Sequence, residues 1–359
     1  MAAWKNLRNR AQPESSVGQN LIYPLLAFEH ARPHLSAVKL MVWLTLLALN
    51  AATAQSSSRV VVVQDSSAQN LRRMVAAGLK ALTDSPDEPT AWRKIVSSND
   101  VVGIKINTQA APLLATHRAV VDALVEGLRS AGVPPQRIWI FDRDPVKMRQ
   151  AGFAADETAR EVAIVGQSGW DEEAFYENKL VGQLIWGDLL FRSTGEQLST
   201  RSHLPKLLTR TITKLINVPV LQSHDACGLC GCLHNLSLGM VDNTRRFEHY
   251  GQNGDPAIAE ICALPTVRRK LVLNVMDALV AGYAGGPAFR PQYSWQPNAL
   301  FFSFDPVALD TICLQQIEAK RKEANIPSLR ARASHIATAA RLGLGQNDPK
   351  FIQIIEARP

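Results

Sequence analysis

The sequence predicts an α/β fold, a mainly parallel sheet covered by helices on both faces with a small hairpin excursion, and three observations carry that reading. From Ser57 onward short apolar runs alternate with amphipathic segments, the pattern of a sheet whose strands are joined by covering helices. Several of those runs are apolar on both faces, which suits strands buried on either side. A chain of 359 residues with 46% hydrophobic content can also bury a full core.

Taken in order, strands are expected at "RVVVVQ" (59–64), "DVVGIKIN" (100–107), "RIWIFDR" (137–143), "VAIVG" (162–166), "KLINVPVL" (214–221), "KLVLNVMDAL" (270–279) and "ALFFSF" (299–304). A helix is expected over "HRAVVDALVEGLRSAG" (117–132). There Val120, Val121, Leu124, Val125 and Leu128 form one stripe, with Thr116 as N-cap and Gly132 as the stop. "FDPVALD" (304–310) opens another helix, with Asp305 as N-cap and Pro306 in its first turn. Residues 178–203 alternate between turn residues and supply the hairpin excursion. No repeat or low-complexity linker divides residues 55–359, which read as a single α/β domain.

Residues 1–54 read as a leader. The apolar run from Ala37 to Leu49 is followed by "NAATAQ", where Ala52 and Ala54 suit cleavage before Gln55. That run is short for a membrane span of about 20 residues. Export, to the periplasm or beyond, is the expectation; a retained membrane anchor and a buried cytoplasmic helix are the alternatives. Only an uncleaved leader would bring the protein to a membrane. The net charge of +7 is scattered, with no run of five like charges, so nucleic acid is not an expected partner. The expected partner is a small-molecule ligand, anionic in character, and the oligomeric state is left open.

Open α/β sheets bind ligands at the ends of their strands. Lys105 and Asn107 end one strand, Asp142 and Arg143 another, Asp277 lies close to the end of a third, and His224 falls just past a fourth. Each has a local explanation, as a snorkelling amine, a cap or a loop-amide acceptor. Their joint placement is the signal.

With these segments in view, the chain resembles a known family. "VVGIKIN" before a capped helix, "INVPVLQSH", "CGCLHNLSLG", "LVLNVMDAL", "GGP" and "FDPVALD", in that order over Arg59–Gln316, resemble domain of unknown function 362. "GMVDNTRRFE" (239–248) further resembles an exported bacterial subgroup. The resemblance implies no particular reaction, although some members carry iron-sulfur modules; this chain has no ferredoxin-type run of four cysteines. His224, Asn235, Asp305 and Asp310 match the family pattern. Gln222 and His234 stand where it has lysines, and Cys230 where it has threonine. An anion site inherited from relatives would here keep Lys105 and, from the "DNTRRFE" segment, Arg245 and Arg246, with Asn107, Asn235 and Asp310 as further ligand-binding candidates.

"HDACGLCGCLHN" (224–235) holds three of the five cysteines and two histidines. Thiolates and imidazoles are the donors zinc prefers. If a helix begins near Cys230, as the family threonine implies, Cys230 and His234 share a face while Cys232 points away by about 200°. The expected metal set is therefore His224, Cys227, Cys230 and His234, holding zinc or another transition metal. No twin-arginine pair precedes the apolar run, because Asn9 splits Arg8 from Arg10, so an exported chain would travel unfolded and an iron-sulfur cluster is disfavoured. A Cys227–Cys230 disulfide is the redox alternative, leaving Cys232, Cys262 and Cys313 as buried thiols. No Walker motif, G-x-S-x-G or H-E-x-x-H occurs, and "AGYAGGP" (281–287) lacks dinucleotide-binding spacing. Two functions follow. One is an exported metal-binding or redox enzyme acting on a small acidic molecule, with Lys105, His224 and Asp277 as its catalytic candidates. The other is a non-catalytic small-ligand-binding protein with structural cysteines.

Overall fold

The computed structural model describes residues 57–66, 70–154, 163–165, 168–177, 200–244, 247 and 253–359. The chain divides into Met1–Ala54 and Gln55–Pro359, and all described residues belong to the second unit. Residues 1–54, the expected leader, together with residues 178–199 of the expected hairpin segment and with Arg245 and Arg246, lie outside the described residues. No helix among the described residues is long and apolar enough to cross a membrane.

The strands are β1 (Ser58–Gln64), β2 (Val102–Ile106), β3 (Ile138–Phe141), β4 (Ala163–Val165), β5 (Trp170–Glu177), β6 (Arg201–Pro205), β7 (Lys214–Val218), β8 (Val220–His224), β9 (Gly228–Leu229), β10 (Leu271–Gly282), β11 (Ser294–Trp295), β12 (Ala299–Ser303) and β13 (Ile352–Ala357). The main sheet runs β13-β1-β12-β10-β7-β2-β3-β4. Along that path only β12 is reversed: it is antiparallel to β1 and β10, and every other neighbouring pair is parallel. All seven expected strands are present. The run 214–221 is broken by Pro219, which cannot donate to a ladder; β7 and β8 flank it, and both pair with β10. Arg201–His203, the described end of the expected hairpin segment, belongs to β6, which pairs antiparallel with β5 in a separate small sheet. β13 was not anticipated. It is an edge strand with mixed exposure, and so lacks the apolar run that marks β2 or β12.

Helices cover both faces, as such strands require. One face carries α1 (Leu71–Thr83), α2 (Glu88–Arg93), α3 (Arg118–Ser130) and α4 (Pro145–Gln150), whose apolar sides pack on Val61, Ile104, Ile140 and Val275. The other carries α5 (Cys232–Leu236), α6 (Ala257–Ala263), α7 (Pro265–Arg268), α8 (Pro306–Glu323) and α9 (Ser334–Arg341), packed on Val60, Leu215, Met276 and Phe301. The stripe expected on α3 is buried, and Gly132 ends that helix with φ +94°. Thr116 does not cap it. His117 is the N-cap residue, and the Thr116 hydroxyl instead accepts Asn107 N and donates to Val218 O, tying β2 to β7. Asp305 caps α8 as expected, accepting the amides of Val307 and Ala308.

Candidate functional site

The site begins with a row of polar residues laid across the sheet. Lys105 is level with Asn217, Asn217 with Asn274, and Asn274 with Ser303. Level residues on neighbouring strands point to one face, here the face of α5 and α8. Asn217 Nδ2 donates to Asn274 Oδ1 at 2.9 Å, and Asn274 Nδ2 reaches Ser303 O at 3.3 Å. All four residues are buried, where an unpartnered amide would cost about 1–3 kcal/mol.

At one end of this row the Lys105 ammonium donates to Asp142 Oδ1 (2.8 Å), Ile106 O (2.8 Å) and Asn235 Oδ1 (2.9 Å). Three acceptors match its three protons. Burial lowers the Lys105 pKa, and the charge and hydrogen bond of Asp142 oppose that shift. Asp142 is also held by Thr108 N, Thr108 Oγ1 and Arg143 N. Asn235 Nδ2 donates to Asn217 Oδ1 at 2.8 Å, which anchors α5 to the sheet.

The segment containing the cysteines wraps over this anchor. β8 ends at His224, whose Nδ1 accepts the amides of Ala226 (3.2 Å) and Cys227 (3.1 Å). The "GGP" loop braces the same strand end. A Cβ on Gly286 would stand 1.8 Å from Ser223 O, and Gly286 O accepts Asp225 N. The helix then begins at Cys232 rather than at Cys230, with Gly231 as the N-cap residue. Asp310, projecting from α8, explains the shift: it accepts Cys232 N (2.6 Å) and Leu233 N (2.9 Å), capping α5 from outside. Only a residue without Cβ fits between them, since a Cβ on Gly231 would lie 2.2 Å from Asp310 Oδ1.

This arrangement brings His224, Cys227 and His234 together. One donor atom from each lies within 4.8 Å of the others, and all three residues are buried. The rings of His224 and His234 have centroids 5.0 Å apart. Cys230 stands outside the group. Its spacing to His234 counted only if both sat on one helix, and its thiol instead points to Ser223 O and Gln109 Oε1. The Cys227–Cys230 disulfide is not formed, and all five cysteines are buried thiols. Burial and the nearby Asp310 charge push the Cys232 and Cys313 thiols well above their usual range, so these are inert packing groups. Asp310 itself is raised to about 7 by burial, against the two amides that lower it. Both of its oxygens are engaged in capping α5.

His234 also lines a cleft of about 210 Å³, with Asn107, Thr108, Asp142, Arg143, Lys147 and Asn235 among the other walls. Lys105 and Asn107 therefore share one edge of the sheet with the histidine pair, as parallel β2 and β7 demand. Asp277 does not join them. It lies between Met276 and Ala278, which face α5 and α8, and strand alternation turns it to the opposite face. There it accepts His117 N (2.7 Å) and pairs with His117 Nδ1 (2.8 Å).

One residue near the cluster escaped the sequence reading. His335, on α9, is fully buried, and among the described residues neither ring nitrogen has a hydrogen-bond partner. Burial, then the neighbouring His234 and His224, lower its pKa to about 3, so it is a neutral imidazole. A lone histidine in a mostly apolar helix, far along the chain from "HDACGLCGCLHN", gives little sequence signal. Asn217 and Asn274 did give one: an amide in the middle of an apolar strand must find a partner.

Fold and site define an α/β domain with a buried thiol and imidazole cluster beside a cleft at the carboxyl ends of its central strands. The chain belongs to the family described as Domain of unknown function (DUF362), whose model matches residues 102–315. No curated protein matches. Among solved structures, the chain is similar to a Thermotoga maritima protein determined as a Northeast Structural Genomics Consortium target, with 10% identity and a TM-score of 0.40. The match covers 67% of this chain and 57% of that one, so it spans little more than half of the Thermotoga protein's length.

Proposed function

We propose that this is an exported metal-binding protein that holds a divalent transition metal, zinc in the first instance, through His224, Cys227 and His234. A small acidic molecule binds in the adjoining cleft. The observation that carries the metal reading is the convergence of the three donors within 4.8 Å in a buried setting. Thiolate and imidazole are the donors that zinc takes in proteins. Because His224 Nδ1 accepts two backbone amides, Nε2 is the nitrogen that would face the ion.

The acidic ligand is supported by the balance of charge around the cleft. Asp142 is paired with Lys105, and Asp144 accepts the amides of Val146 and Lys147. Arg143 and Lys147 are the cations among the described walls, Arg143 also donating to Val241 O and Thr244 Oγ1 and Lys147 to Ala111 O; with Lys105 they exceed the two aspartates by one positive charge, which a carboxylate or phosphate suits. Lys105, with all three protons accepted, orders this wall rather than exchanging protons. Export rests on the leader features of residues 37–55.

The test is metal analysis of protein purified without chelator, before and after zinc reconstitution. Stoichiometric zinc in the wild type, lost from Cys227→Ser and His234→Ala, is the expected result. A wild type that holds no stoichiometric metal under either condition rules out the centre.

A further inference from the structure

We infer that His335 is the fourth protein donor of this centre, closing a cage of three imidazoles and one thiolate, with no coordination position open to the cleft. The inference rests on the metal reading of His224, Cys227 and His234 and goes beyond it. It assigns the ion a structural task and places small-ligand chemistry away from it.

The first observation is His335 itself. A fully buried imidazole with neither nitrogen partnered among the described residues is rare in folded proteins, and a missing ion is one of its standard explanations.

The second observation is how tightly the segment preceding His335 is fastened to the metal loop. The Arg332 guanidinium donates to Asp225 O. Gly228, with φ +82°, lies so close to Ala333 that a Cβ there would stand 2.8 Å from Ala333 N. On the next turn of α9, Thr338 Oγ1 donates to Asp255 Oδ2 at 3.0 Å. The adjacent Gly254 lies against Cys227, where a Cβ would stand 3.0 Å from Sγ. These contacts hold the start of α9 against the loop that carries Cys227.

The set of donors within 4.8 Å of one another does not include His335, so its ring must draw inward when the ion binds. Four protein donors with none exchangeable is the pattern of structural zinc, whereas three donors and a water mark catalytic zinc.

Cobalt(II) replaces zinc as a spectroscopic probe of donor number. Wild-type protein loaded with cobalt(II) should show the intense visible absorption of a four-coordinate ion and the charge-transfer band of a thiolate ligand, neither altered by added thiocyanate. His335→Gln should bind cobalt at least about tenfold more weakly, with a spectrum that thiocyanate now shifts. His335→Cys, which keeps a donor at that position, should stay four-coordinate with a stronger thiolate band, and serves as the readout if His335→Gln does not fold. A wild-type spectrum that already responds to thiocyanate, or a His335→Gln protein with unchanged affinity and spectrum, overturns the inference and leaves the three-residue centre standing. A wild type that binds neither zinc nor cobalt fails at the earlier step and removes both.

Discussion

Lys105 Nζ lies 2.8 Å from Asp142 Oδ1, with both side chains buried at the carboxyl ends of β2 and β3. Each charge compensates the desolvation of the other, so removing one alone strands its partner. Lys105→Met should destabilise the fold by about 3–5 kcal/mol, read as a lower midpoint in urea. The double variant Lys105→Met/Asp142→Asn should recover part of that loss, because no buried charge is left unpaired. Full additivity of the two single changes would show that the pair is not coupled.

On the other face of the sheet, the Asp277 carboxylate gives a pH signature. Burial lowers the His117 pKa, but the hydrogen bond and charge of Asp277 outweigh it and hold the value above its ordinary 6.5. A raised folded-state pKa means that the stabilisation is fully present below pH 6.5 and is lost as pH rises through the folded value. Wild-type melting temperature should therefore fall on going from pH 6 toward pH 8 more steeply than that of His117→Gln. Parallel profiles for the two proteins would show that the pair contributes nothing.

These two pairs also show what the sequence could disclose. The strands were legible because each is a compact apolar run, and the sheet edge bearing the site followed from parallel strands ending together. Lys105, Asn107 and His224 were found on that basis, Asn235 through the family resemblance and His234 through the cysteine and histidine stretch. The face on which each residue falls was harder, since Asp277 and Asn274 belong to one apolar run and strand alternation sends them to opposite sides. The start of α5 was not legible, because its cap is Asp310, more than seventy residues further along. Misplacing that start by two residues is what put Cys230 in the expected metal set. His335 was missed for the same reason: its neighbours are assembled by the tertiary fold.

The cap itself can be tested by a cycle. Asp310→Ala removes two hydrogen bonds to the first turn of α5 and should cost about 1–3 kcal/mol. Gly231→Ala should destabilise by a separate route, through the 2.2 Å approach of its Cβ to Asp310 Oδ1. Combined, the two should cost less than their sum, since the atom that clashes is gone. Thermal melts of the four proteins supply the coupling energy, and strict additivity would mean that Gly231 is required for another reason.

A chain beginning at Gln55 should fold cooperatively. Among the described residues every strand and helix begins at or after Ser58, and the sequence of residues 1–54 has no periodic apolar face for packing. Circular dichroism melts of the shortened and full-length chains should show the same cooperative transition. Aggregation of the shortened chain alone would make residues 1–54 part of the core.

Metal content should follow the cluster's geometry rather than the density of cysteines in "HDACGLCGCLHN". Cys227→Ser removes the sulfur that lies with both histidines, so it should abolish stoichiometric zinc and lower the melting temperature to that of chelator-treated wild type. Cys230→Ser should leave zinc content unchanged, because that thiol is directed at Ser223 O and Gln109. Cys232→Ser should also retain zinc, since Cys232 is a buried neighbour of Asp310 with its thiol held protonated. An ion held by this cluster would join the end of β8 to α5, so chelation should destabilise the wild type while leaving Cys227→Ser unaffected. Loss of zinc from Cys230→Ser with retention in Cys227→Ser would reverse the assignment and restore the helical i, i+4 pair suggested by spacing alone.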